Sequence, residues 1–116
     1  MKQDLPPVAR RITAAILGDD YDASIAFVSP REMRRLNRLY RGTDAPTDIL
    51  SFPLSPRAGE ILFSRREVAK EAKRFERSPA NFLLFLLIHG LLHLKGFTHG
   101  SKMERTERML RKKFGV

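Results

Sequence analysis

All three histidines of this 116-residue chain lie within eleven residues, in the string His89-Gly90-Leu91-Leu92-His93-Leu94-Lys95-Gly96-Phe97-Thr98-His99. Residue type and spacing together point to a transition-metal site. His89 and His93 are four apart, so on a helix both imidazoles project from one face, one turn apart, and can share a tetrahedral cation. A straight helix would carry residue 99 about 15 Å beyond His89, too far to share that ion. Gly96 removes the obstacle, because a positive φ there ends the helix and turns the chain so that His99 folds back. Three protein ligands leave a fourth position for water or substrate, which is the arrangement of a catalytic rather than a structural zinc. One Zn2+ per chain is therefore expected on His89, His93 and His99. Ordinary histidines of a half-buried helix and a surface loop would account for each residue singly, but not for their spacing around a helix-ending glycine.

Composition narrows the chemistry further. The chain has no cysteine, which excludes a disulfide framework, a disulfide-linked partner and a thiolate metal site. At 116 residues and 42% hydrophobic content it is expected to form one domain over 1–116, with a core that needs no structural metal. Twenty-two Lys and Arg stand against thirteen Asp and Glu, a net charge of +9. Such an excess repels itself and calls for a polyanionic partner, nucleic acid foremost. The segment from Met1 to Ile12 is charged and broken by prolines, without the apolar core of a secretory signal. The longest apolar run, Phe82 to Leu94, is shorter than the roughly 20 residues that cross a bilayer and contains two histidines. The expectation is a soluble, cytoplasmic protein with no membrane partner.

The elements that must position the histidines can be read from punctuation and period. Pro6 and Pro7 open a first helix with Val8, Ile12, Ala15 and Ile16 on one face, ended by Gly18. Ser24 to Val28 reads as a strand. Ser29, Pro30 and Glu32 form a capping box for a helix running to about Tyr40, with Met33, Leu36 and Tyr40 inward. After a polar loop over 41–48, Ile49 to Leu54 and Glu60 to Ser64 read as adjacent strands joined by a turn. Ser64 and Glu67 cap a helix with Val68, Ala72 and Phe75 inward. Ser78 and Pro79 start the long apolar helix that carries His89 and His93, and Ser101 and Glu104 form a third capping box for a basic C-terminal helix. The order predicts an α+β fold, a small mixed sheet of three to four strands with about five helices and the metal-site helix at the centre.

Two known patterns resemble this one. The spacing of the histidines is similar to that of metzincin proteases, whose string places a glutamate directly after the first histidine as general base. Gly90 stands there, so peptide hydrolysis by that mechanism lacks its base. A fuller resemblance is to the YbeY-type endoribonucleases, bacterial rRNA-maturation factors. His89, Gly90, Leu92, His93, Leu94, Gly96 and His99 match their signature, with Phe97 for a tyrosine. Upstream, Leu36-Asn37 and Tyr40-Arg41-Gly42 lead into Pro46-Thr47-Asp48-Ile49-Leu50-Ser51-Phe52-Pro53, close to a second signature of that family, and Gly59-Glu60-Ile61 is similar to its Gly-Asp-Ile. Thr98 departs from the family's aspartate, which leaves a carboxylate for a zinc-bound histidine to come from elsewhere. The N-terminus is also short for the family, which bears on its usual first strand.

The resemblance implies a zincin-like fold with one zinc. It also implies single-strand-specific RNA cleavage in maturation of the 3′ end of small-subunit (16S) rRNA and in ribosome quality control. The partners would be ribosomal RNA and the small ribosomal subunit; the oligomeric state stays open, with a monomer favoured. The candidate catalytic residues are Arg41 and His89. Arg41 matches the family's arginine, and a guanidinium fork there would stabilise charge building on a phosphodiester. Asp48 and Glu60 are open as base or supporting contacts, and the nucleophile is open between a metal-activated water and a ribose hydroxyl. Candidate RNA-binding residues are Arg31, Arg34, Arg35, Arg38 and Arg41, the first four a helical stripe that leads to the last with few acids between them. The basic residues of the two later helices are weaker candidates, because Glu67, Glu71, Glu104 and Glu107 can pair with them. Alternative readings are a metzincin-like zinc peptidase and a non-catalytic basic ribosome-binding factor with a structural metal.

Overall fold

The structure, a computed structural model, describes residues 5–116, so the first four residues of the N-terminal segment lie outside it. It has the α+β order α1 (Val8–Leu17), β1 (Asp22–Phe27), α2 (Pro30–Arg41), β2 (Ile49–Ser55), β3 (Ala58–Phe63), α3 (Arg65–Arg74), α4 (Pro79–Lys95) and α5 (Ser101–Phe114). The three strands form one mixed sheet in the order β1-β3-β2, with β1 parallel and β2 antiparallel to β3. The turn at Pro56 and Arg57 joins β2 directly to β3, as the Ser/Pro/Gly punctuation predicts.

Alternation along the strands sends side chains to two faces. Ile49, Ile61 and Phe63 join the large core with α1, α3, α4 and α5, while Leu50 and Leu62 meet Met33 and Leu36 of α2 on the opposite face. α2 therefore covers one side of the sheet and α4 the other. α4 is apolar around its whole circumference, with Phe82, Leu83, Leu84, Leu86, Leu87, Ile88, Gly90, Leu91 and Leu92 all buried, which is the signature of a helix enclosed by its neighbours. Among the described residues no single helix is long and apolar enough to cross a membrane.

Three serines start helices as expected: Ser29 Oγ accepts from the Glu32 N–H, Ser64 Oγ from that of Glu67 and Ser78 Oγ from that of Asn81. The third box does not form. Ser101 is itself the first residue of α5, behind Gly100, with no side-chain cap. The chain enters α5 immediately after His99, leaving no room for an extended cap residue at Ser101.

Other expectations shift by a position or a face. β1 begins at Asp22, because pairing with β3 continues down to Ala58. In α1 the buried residues are Ala9, Ile12 and Ile16, and Ala15 is exposed. Tyr40 and Phe75, both expected inward, are 62% and 53% exposed. Tyr40 sits in the last turn of α2, where among the described rings only Phe52, at the sheet edge, meets its own, and Phe75 follows the end of α3 and stacks on Phe82 at 5.2 Å.

Candidate metal centre

α4 delivers the first two histidines side by side. Its end is fixed by Gly96, at φ 109°, where the Gly96 N–H donates to His93 O and the Phe97 N–H to Leu92 O. That left-handed cap satisfies the last carbonyls of α4 and reverses the chain. The reversal brings the His99 ring to 5.2 Å from that of His89 and 4.7 Å from that of His93, centroid to centroid. One ligand nitrogen from each of the three lies within 4.8 Å of the others.

The hydrogen bonds decide which nitrogens those are. His93 Nδ1 lies 3.1 Å from the carbonyl oxygen of Phe97, which can only accept, so Nδ1 carries the proton and Nε2 a lone pair. His89 Nδ1 lies 2.8 Å from Glu107 Oε2 and donates in the same way. The two Nε2 atoms then face each other at 3.0 Å with lone pairs opposed. A shared cation resolves that contact. Tetrahedral zinc with bonds of about 2.0–2.1 Å would hold neighbouring nitrogens a little over 3 Å apart. A proton could bridge them, but burial, reinforced by the neighbouring His89, pushes the His93 pKa down and favours its neutral form. The donor set thus fits a metal ion.

Glu107 is the functional residue that the sequence reading misassigns. It was expected to pair with basic neighbours along α5, yet it is only 9% exposed and turns inward to His89. It shares the i, i+4, i+7 stripe of Met103 and Leu110, and that spacing is the signal that places it on the buried face. It supplies from α5 the carboxylate that Thr98 cannot, holding the His89 ring and its tautomer as outer partners of metal-bound histidines do.

The three histidines open onto a cleft of about 580 Å³ lined also by Arg41, Thr47, Asp48, Ile49, Ser51, Leu86 and Gly90. Arg41 ends α2 on the far side of the sheet. The loop over 42–48 then wraps the β2 edge, held by Asn37 Nδ2 donating to Ala45 O. Burial pushes the Asp48 carboxyl pKa up, with the charge of Glu71 adding to the effect and backbone N–H groups opposing it. Gly90 is pressed against β2 and β3: a Cβ there would lie 2.9 Å from Ile49 Cδ1 and 3.3 Å from Ile61 Cδ1, and its carbonyl accepts from Ser51 Oγ. A glutamate there would have to push both isoleucine ends aside, so the packing of α4 disfavours the metzincin base.

Glu60 is not among the residues that line the cleft. The arginine stripe is exposed as expected but is not free of acids. Asp44 clasps Arg34 at 2.8 and 3.0 Å and lies 4.0 Å from Arg38, and Glu32 clasps Arg35 with two contacts of 2.8 Å. Asp44 escapes a reading of the helix alone because it lies ten residues from Arg34, in the loop that folds back. Among the described residues, Arg31 and Arg41 have no carboxylate partner.

The family model described as Endoribonuclease YbeY matches residues 5–114. A relative named Endoribonuclease YbeY from Alkaliphilus metalliredigens is 36% identical, over 76% of this chain and 64% of its own length. One of the same name from Chloroflexus aurantiacus is 35% identical, over 88% of this chain and 78% of its own. The chain thus spans about two thirds of the length of the Alkaliphilus relative, and somewhat more of the other. The solution structure of TM1509 from Thermotoga maritima superposes with a TM-score of 0.68 at 30% identity, covering 97% of this chain and 79% of that one. With the match running almost end to end through both the histidine string and the end of α2 that carries Arg41, the chain belongs to the YbeY endoribonuclease family.

Proposed function

We propose that this chain is a zinc-dependent endoribonuclease that cuts single-stranded RNA, acting in the cytoplasm as a monomer on the 3′ end of small-subunit rRNA. The observation that carries the reading is an arginine without a carboxylate partner, Arg41, facing the same cleft as three converging imidazoles. A cation-binding point beside a free guanidinium suits a phosphodiester, which needs its nonbridging oxygens neutralised. The names of the relatives support RNA as the polymer, and the +9 charge supports a polyanion.

His89, His93 and His99 would hold the metal through nitrogen donors, a set that suits zinc. When bound, the ion supplies Lewis acidity and a water of lowered pKa. Glu107 and the Phe97 carbonyl keep the two helical imidazoles in the tautomer that presents Nε2. Arg41 binds and orients the phosphate. Asp48, biased toward its protonated form by burial, is the carboxyl in the cleft able to hold or release a proton. Gly90 leaves the peptidase reading without a base on α4.

The test compares cleavage of a single-stranded oligoribonucleotide and of precursor small-subunit rRNA by the native protein, by protein treated with chelator, and by His89→Ala and Arg41→Ala. Chelation and His89→Ala should abolish cutting, and zinc should restore the chelated protein. Arg41→Ala should retain the metal and lose about 10²–10³-fold in rate. Cleavage that persists in all three would refute the proposal, and chelator-sensitive casein turnover without RNA cleavage would favour a peptidase.

A further inference from the structure

Tyr40 is a large aromatic side chain left 62% exposed, and it directly precedes Arg41, which lines the cleft. Its ring meets Phe52 on the edge strand β2, with centroids 4.9 Å apart and planes at 62°. Phe52 is packed against the buried cluster of Met33, Leu50 and Leu62, so it forms a fixed wall for the tyrosine ring. The pair presents an apolar face, the Tyr40 ring backed by Phe52, at the point where α2 gives way to the following loop. A single exposed aromatic residue needs no explanation. One held by a second ring and adjoining an unpaired guanidinium has the composition of a nucleotide site, base face and phosphate together.

We infer that Tyr40 and Phe52 form a stacking platform for an unpaired nucleobase of the RNA whose phosphate Arg41 holds. The inference rests on the RNA reading above and assigns residues to its single-strand preference. Bases inside a duplex are already stacked on each other, so only an unpaired base can offer its face to a side chain. The nearby acids sort base from phosphate. Asp44 is neutralised by Arg34. Glu60 stands opposite Phe52 in the β2–β3 register, so its carboxylate repels a phosphate from the platform while an uncharged ring is unaffected. Phosphate is thereby directed to Arg41, and the base to the rings.

The experiment measures binding of a single-stranded oligonucleotide, 2′-O-methylated to keep it intact, to zinc-loaded protein, alongside the same oligonucleotide with an abasic site introduced at each position in turn. The chain has no tryptophan and two tyrosines. The hydroxyl of Tyr21 is buried, so quenching of tyrosine emission should report on Tyr40. Tyr40→Ala should weaken binding about 5–100-fold, while Tyr40→Phe, which keeps the ring, should stay within about twofold of the native protein. One abasic site should weaken the native protein by a similar factor and leave Tyr40→Ala unaffected. Native affinity in Tyr40→Ala, or an equal loss on every abasic oligonucleotide, would overturn the platform while leaving the RNA reading in place. If the native protein fails to bind the oligonucleotide at all, the RNA reading falls and the platform with it.

Discussion

Replacing Glu107 by alanine removes the one carboxylate among the described residues that touches a histidine of the candidate metal centre, at 2.8 Å from His89 Nδ1. With Glu107 only 9% exposed, water does not readily take its place. The His89 ring then loses both the acceptor that fixes its Nδ1–H tautomer and the negative charge that raises the basicity of Nε2. Loss of such an outer partner weakens metal binding about 10–100-fold, or about 1.4–2.8 kcal/mol. Glu107→Gln keeps an acceptor oxygen without the charge and should fall between the two. Zinc affinity is measured by competition with a chromogenic chelator, with Glu104→Ala on the exposed side of α5 as control. Thermal unfolding gives an independent readout. At zinc a hundredfold above the native Kd the native protein gains about 2.7 kcal/mol, and a variant weakened thirtyfold gains about 0.9 kcal/mol under the same conditions. Native zinc affinity in Glu107→Ala would refute the assignment, whatever happens to cleavage.

Two further outcomes follow from the same geometry. The Asp48 pKa is raised in the fold, so the folded state binds the extra proton and stability falls as pH rises from the unfolded value through the folded one. Asp48→Asn should therefore be more stable than the native protein at neutral pH, and urea titrations across the acid range should show that advantage shrinking as pH falls through the same window. Gly90→Ala should lower stability by about 1 kcal/mol. The added methyl meets Ile49 and Ile61, and an overpacking cost of about 1–3 kcal/mol exceeds the ~1 kcal/mol gained by removing a mid-helix glycine. A raised denaturation midpoint would show that the interface between α4 and the sheet is looser than described.

What the chain reveals before folding is what depends on neighbours in sequence. Ser29, Ser64 and Ser78 announce their helices because the cap hydrogen bond spans three residues. The histidine triad is legible because two ligands share one helix and the third lies just past a glycine able to take φ 109°. Residues acting across long separations are not legible in this way. Glu107 reaches His89 from eighteen residues away, and Ser51 reaches the Gly90 carbonyl from thirty-nine. Asn37, buried on the Met33 face, spends its amide on the loop that carries Asp48, a role that helical period alone assigns to an apolar side chain. Tyr40 follows the period of α2 and is still exposed, because a period says which way a residue faces and not whether anything is there to cover it.

The absence of a carboxylate on α4 has a structural origin. The helix that carries His89 and His93 lies tight against the sheet, and Gly90 is where it does so, leaving less than 3 Å between an added Cβ and Ile49 Cδ1. A general base in that position would crowd Ile49 and Ile61 and strain the packing that places His89 and His93. On the proposed function, proton handling would therefore come from outside α4, and the elements that reach the cleft with polar groups are the end of α2, through Arg41, and the loop before β2, through Asp48. The loop is anchored by Asn37, and the ligand geometry by Glu107 on α5. On the proposed reading, metal binding by the histidines and the positioning of Asp48 thus depend on different anchors. Loss of Glu107 should impair the first and spare the second, whereas loss of the Asn37 contact should do the reverse.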